Sequence, residues 1–322
     1  MKKGMLSLIC LLIYSRVFCW GFYMHEQINY HAVFLLPPEM MILFKPNIGF
    51  LTEHAVDPDK RRYVVASEGA HHFMDIDHYG AYPFPGLPRN YKEAAEKFSA
   101  DTLRIYGIVP WWVQTMLGRL TSAFREKDRR LILKNAAELG HYIADAHVPL
   151  HACSNHNGQL TNQLGIHAFW ESRIPELFAA SKWDFFIGKA VYIKNPGAFI
   201  WARLLESAAA ADTVLRCERE AGSAIRPDQQ YAFEDRKGLL VRQYSTAYAS
   251  LYNEKLNNMV ERRMRQSIFA VASFWYTAWV DAGQPALDHL AQDSLSAAEQ
   301  QEYQQLNLEW KKGKVLGRDC EE

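Results

Sequence analysis

Two histidine–carboxylate pairs, each with its members four residues apart, constrain this chain more than any other feature: His141 with Asp145, and His167 with Glu171. A spacing of four stacks two side chains on one face of a helix. Each pair is therefore expected to project an imidazole and a carboxylate from one helix, with Pro149 ending the first helix so that His151 turns back toward the same cavity. One such pair alone is ordinarily a surface pair. Two pairs with a third histidine after a proline, in so short a stretch, instead predict the nitrogen and oxygen set that zinc accepts. Eleven of the twelve histidines lie between His25 and His167, each near an acidic residue or another histidine.

The rest of the chain supplies helices to carry them. Apolar residues recur every three to four positions in most long segments and strand signals are sparse, so the expected fold is all-α, a multi-helix bundle. Helices are predicted over Tyr91 to Phe98, Trp111 to Phe124, Arg130 to Ala146, Ala198 to Cys217, Leu239 to Val260 and Met264 to Asp281, the last stopped by Gly283 and Pro285. Loops are expected at Pro37-Pro38, from Tyr82 to Pro88, and from Ser154 to Gly165. No internal repeat is visible.

Residues 1–19 read as an export signal, with Lys2 and Lys3, an apolar stretch from Met5 to Tyr14, and Val17 and Cys19 at the cleavage positions. A lipid anchor on Cys19 is disfavoured, because Arg16-Val17-Phe18 lack small side chains. The mature protein is expected to be secreted or periplasmic, with no integral membrane segment, since no later stretch is long and apolar enough. Residues 20–292 then form one domain and 293–322 a peripheral tail. The formal charge is zero and the hydrophobic share 49%, a balance that does not advertise a polyanion partner. Beyond the signal only Cys153, Cys217 and Cys320 remain, too few for a disulfide framework although one bridge is allowed. No obligate protein partner is evident.

The run His141-x-x-x-Asp145-x-x-x-Pro149-Leu-His151 followed by His167-x-x-x-Glu171 resembles the superfamily uniting bacterial zinc-dependent phospholipase C with the fungal single-strand-specific zinc nucleases. That resemblance implies an all-α fold with three zinc ions in a cleft, one held by the amino group and carbonyl of an N-terminal tryptophan. Cleavage after Cys19 would expose Trp20-Gly-Phe-Tyr-Met-His25, which resembles the nuclease start. His72-Phe-Met-Asp75-Ile-Asp77 resembles the His-Phe-x-Asp segment of both branches, whose histidine is a ligand. An aspartate about fifteen residues earlier completes that metal in the family, and Asp57 is the expected one, with Asp59 its rival.

The resemblance thus implies Asp57, His72, His141 and Asp145 on one zinc, His151, His167 and Glu171 on a second, and Trp20, His25 and Asp145 on the third. Such ions would stabilise charge gathering on phosphate oxygens and acidify a water, whose proton Asp57 would accept. Arg61 is expected either to hold an acidic ligand or a phosphate oxygen, or to be a solvated surface residue. His71, Asp75 and Asp77 are expected to orient neighbours, and His31, His54, His78, His147 and His156 to be structural. Glu171 in place of aspartate, the short His151 to His167 interval and the His151-Ala-Cys-Ser-Asn-His-Asn157 run resemble the phospholipase branch, with Asn157 a substrate contact. The Trp20 to His25 interval is nuclease-like, and Phe73 beside a ligand would stack a base. The expected activity is phospholipase C-like hydrolysis of phospholipid, with a single-stranded nucleic acid substrate and a non-catalytic zinc-binding role as alternatives.

Overall fold

The computed structural model describes residues 21–236, 238–290, 296–313 and 315–316. The export segment and Trp20 lie outside the described residues, as does Cys320. A helical hairpin forms the spine. Val109–Glu126 and Arg129–Asp145 run back to back, and Lys127 makes the turn with a left-handed φ of 55°. Asp128 then caps the second helix, its carboxylate accepting the Leu131 N–H at 2.9 Å. Gly21–Val33 and Met259–Asp281 pack against this hairpin and against each other. The core between them contains Phe44, Phe124, Ile132, Leu139 and Trp275. The Trp275 indole N–H is satisfied by the Ala136 carbonyl at 2.9 Å.

A second core lies between Pro196–Ser223, Thr246–Lys255 and the 166–182 segment, built on Phe169, Trp170, Val214, Tyr248 and Tyr252. The chain passes from one core to the other at the end of the ligand-bearing helix. Ala144 and Ala146 belong to the first core, while Val148 and Leu150 belong to the second. Polar residues interleaved with these anchors, Asp145, His147 and His151, are thereby held at the seam. Ser207 Oγ donates to the Ala146 carbonyl (2.8 Å) and pins that helix end.

The helical expectation holds for most of the chain, and no described helix is long and apolar enough to cross a membrane. One segment departs from it. Leu239–Val260 is not one helix: Leu239–Tyr244 is a strand paired antiparallel with Tyr231–Arg236, and the helix begins only at Thr246. Gly238, at φ 84°, makes the turn, and its N–H donates to Asp235 Oδ1 at 2.9 Å. The partner strand lies outside the helical window, so local apolar spacing misreads the segment.

The C-terminal region carries a helix that packs on the body. Its helix, Ala297–Lys311, docks on Asp57–Arg61. Tyr303 is buried against His54, with ring centroids 3.9 Å apart, and Glu302 pairs with Lys134 at 2.6 Å. The bridge open to Cys217 is not made, for its Sγ remains a thiol donating to the Lys255 carbonyl at 3.4 Å.

Candidate metal centre

Asp145, in the last turn of its helix and 1% exposed, sits at the middle of the site. Its Oδ2 lies 3.1 Å from His72 Nδ1 and 3.3 Å from His141 Nε2. Its Oδ1 faces the other way, 3.3 Å from His25 Nε2 and 3.7 Å from His151 Nδ1. One carboxylate therefore joins two groups of donors. Beyond it, His167 Nε2 lies 2.7 Å from Glu171 Oε2 and 3.2 Å from His151 Nε2. Three sets have ligand atoms close enough to hold an ion: His25, His141 and Asp145; Asp59, His72 and His141; and His151, His167 and Glu171. All of these residues are buried.

The donor chemistry fits metal. His141 Nε2 and His72 Nδ1 approach to 3.0 Å, and imidazole nitrogens facing each other so closely in a buried site need a proton or a cation between them. The far nitrogens fix the tautomers. Nδ1–H of His141 donates to the Ala55 carbonyl (2.9 Å), that of His151 to the His72 carbonyl (2.7 Å) and that of His167 to the His156 carbonyl (3.2 Å). Each Nε2 is left with its lone pair turned into the site, the arrangement that backbone carbonyls impose on ligating histidines.

Electrostatics agree. Burial opposes charge on Asp145, but His141, His151 and the nearby His25 imidazole hold its carboxyl well below the usual range. Glu171 is depressed likewise against its burial by His151 and His167. Burial also works against a charged His141, yet Asp145 and Asp59 raise it to about 9.

The local folding of these segments is specific. His25 reaches the site because the Gly21–Val33 helix crosses Arg129–Asp145 at Gly140, where a Cβ would stand 2.0 Å from Asn29 Oδ1. With no side chain there, His25 stacks on His141 at a centroid distance of 3.8 Å. Glu171 lies in a π-helical turn, Phe169–Arg173, entered from Gly165 at φ 90°. Such turns widen a helix locally and recur at functional sites. The Met74 N–H donates to the His151 carbonyl (2.8 Å), so the 72–74 segment and the post-proline turn hold each other.

Of the residues expected from sequence, His25, His72, His141, Asp145, His151, His167 and Glu171 are brought together, and Trp20 lies outside the described residues, next to Gly21. Asp57 is not brought with them. Its Oδ2 is 2.6 Å from His54 Nδ1 and its Oδ1 accepts from Lys60 Nζ at 3.1 Å. Asp59 takes the place at the site, 3.6 Å from His72 Nδ1 and 3.7 Å from His141 Nε2. Residues two apart on a helix point roughly 200° from each other, so only one of the two can face the cluster. Accordingly, Asp59→Asn should lower bound metal measured by elemental analysis, while Asp57→Asn should leave it unchanged; the opposite ranking would restore Asp57 as the ligand.

Phe73 is 5% exposed, leaving almost no ring face for a base, which corrects its stacking role. Asn157 is also buried, and its Oδ1 accepts the N–H groups of Gly165 (3.0 Å) and His167 (3.4 Å). It holds the loop that presents His167, in place of the expected substrate contact through that oxygen. Asp77 braces the next loop by accepting from Ser154 N and Oγ. His71 stacks on Trp112 and stays out of the site, and burial pushes the structural His147 down to about 3.

Glu68 was not legible in sequence. Its Oε1 lies 3.5 Å from His72 Nε2, the nitrogen turned away from the site, and also accepts the Tyr142 hydroxyl. Arg61 locks this carboxylate through Nε (3.2 Å) and grips Glu138 with both terminal nitrogens (2.6 and 3.0 Å). Arg61 thus holds an acidic neighbour of a candidate ligand and is committed away from phosphate. Glu68→Gln should weaken metal affinity by roughly 10–100-fold in chelator competition. An unchanged affinity would show that Glu68 serves folding alone.

No family profile matches the chain, and no curated protein matches it.

Proposed function

We propose that this chain is a zinc-dependent hydrolase of phosphate esters, acting on phospholipid in the manner of a phospholipase C. The observation that carries the reading is Asp145, which presents one oxygen to each half of a buried cluster of five imidazoles and three carboxylates. His25, Asp59, His72, His141, Asp145, His151, His167 and Glu171 would hold the ions, with the Trp20 amine as the expected further donor. Bound divalent ions would neutralise charge on phosphoryl oxygens and acidify a water at the site. The chain's own part is to fix the spacing of the two halves through Asp145 and to offer Asp59, at the edge of the cluster, as the carboxylate that takes the water proton. Glu68 and the backbone carbonyls of Ala55, His72 and His156 orient the imidazoles.

Phospholipid is favoured over nucleic acid on two grounds. The burial of Phe73 takes away the expected base-stacking face, and the zero formal charge supplies no track for a long polyanion. Zinc-replete protein beginning at Trp20 should cleave a phosphocholine ester faster than single-stranded DNA or RNA, and chelation should abolish the reaction. Preference for the nucleic acids would reverse the substrate assignment. Full zinc content with no hydrolysis of any of the three would leave a non-catalytic zinc-binding protein.

A further inference from the structure

Five large apolar side chains on two adjoining segments stand in solvent: Leu160 (71% exposed) and Leu164 (61%) on one loop, and Phe233 (68%), Leu239 (56%) and Leu240 (71%) on the hairpin. The loop is built to keep its leucines out. Asn155 Oδ1 accepts the Leu160 N–H at 2.8 Å and its Nδ2 donates to Thr161 Oγ1 at 3.0 Å. Gly158, at φ 73°, closes the loop by accepting the Gln163 N–H at 2.9 Å. Leucine fixed outward in an ordered loop forgoes burial that the fold elsewhere exploits.

The hairpin has two unlike faces, since side chains alternate along a strand. One face is tied to the body, with Glu234 on Arg173 and Arg236 on Glu176. The other carries Phe233, Leu240 and, opposite Leu240, Asp235 outward, with Arg242 beside them, its guanidinium 3.6 Å over the Tyr231 ring, while Tyr244 at the base of this face packs on the body. Tyr244 joins this face to the loop: its hydroxyl donates to the Leu164 carbonyl at 3.4 Å, and its ring stacks on Phe169 at 3.9 Å. Phe169 is two residues from His167 and from Glu171. The exposed apolar groups are thus continuous with the segment that furnishes two candidate ligands.

We propose that this loop and hairpin face dock the protein on a lipid surface, with Leu160, Leu164, Phe233 and Leu240 entering the acyl boundary and Arg242 meeting headgroup phosphate. The arrangement of apolar tips beside an arginine with an aliphatic stem matches the gradient of a membrane interface. A second copy of the chain fits less well. A stable interface uses roughly 20–30 residues a side, and this surface offers four apolar side chains on a loop and one face of a hairpin. The inference extends the phospholipid reading above, yet binding to vesicles does not depend on turnover.

Zinc-loaded protein would be co-sedimented with phosphatidylcholine vesicles, with and without phosphatidylglycerol, beside Leu164→Glu, Leu240→Glu and, as a control at another exposed leucine, Leu308→Glu. Each of the first two substitutions should lower vesicle affinity by about tenfold or more, since each replaces a side chain that leaves water on docking. Leu308→Glu should not, and all three should hydrolyse a soluble phosphodiester at the rate of the parent. No vesicle binding by the parent, equal binding by all variants, or a dimer in solution that Leu240→Glu dissociates would each overturn the proposal. Binding lost as expected from a protein that hydrolyses no phosphate ester would instead retain the docking surface and remove the hydrolase reading.

Discussion

Asp145→Asn should reduce hydrolysis roughly a thousandfold and empty much of the metal centre, the scale set by the ~3–5 kcal/mol lost when one partner of a buried charged network is removed. Both halves of the site lose an anionic donor at once. Oδ2 faces His72 and His141, Oδ1 faces His25, and a neutral amide offers one oxygen where the carboxylate offered two. Asp75→Asn is the comparison, for Asp75 is a buried aspartate near His72 that belongs to none of the three sets. Its loss should cost under about tenfold in kcat/KM. Measured zinc content and kcat/KM together decide the matter, and a larger effect at Asp75 would overturn the ligand map.

Gly140→Ala should destabilise the protein by about 3 kcal/mol, seen as a Tm lower by roughly 5–10 °C, and weaken zinc binding with it. The added Cβ would fall 2.0 Å from Asn29 Oδ1, and Asn29 cannot swing aside. It is fully buried, and its Nδ2 donates to the carbonyls of Leu51 (3.1 Å) and Ala137 (3.0 Å). The Gly21–Val33 helix must therefore move away, taking His25 from its stack on His141. Gly118→Ala provides the control. That glycine is also inside a helix, a Cβ there meets nothing within 4 Å, and alanine should be neutral or stabilising by up to about 1 kcal/mol. Equal stability of the two variants would show that the close crossing at Gly140 is not needed to seat His25.

The pairs His141/Asp145 and His167/Glu171 were readable because their geometry is local: a spacing of four places both members on one side of a helical turn whatever the rest of the chain does. Pro149 was readable for the same reason, since a proline ends a helix by its own covalent structure. His25 and His72 came from resemblance, and the fold brings both beside Asp145. Asp57 and Asp59 are different. Both sit in Asp57–Arg61, and what chose between them was the rotation of that short helix, set by its packing under Tyr303 and beside His54. Glu68 is not legible in sequence because its meaning depends on Arg61, Glu138 and Tyr142, the last two seventy or more residues away. Leu239–Tyr244 does not show itself as a strand in local spacing because a strand is defined by its partner, here Tyr231–Arg236 across the Gly238 turn.

By itself, the sequence determined a helical chain carrying imidazole–carboxylate pairs, because helix periodicity and proline chemistry act within a few residues of chain. Only the tertiary structure decided which aspartate faces the cluster, which carboxylate orients His72, that Phe73 and Asn157 are buried, and that apolar tips stand beside the site. Those are matters of how helices rotate and cross. Their free energies come from contacts between residues far apart in the chain, which local spacing does not encode.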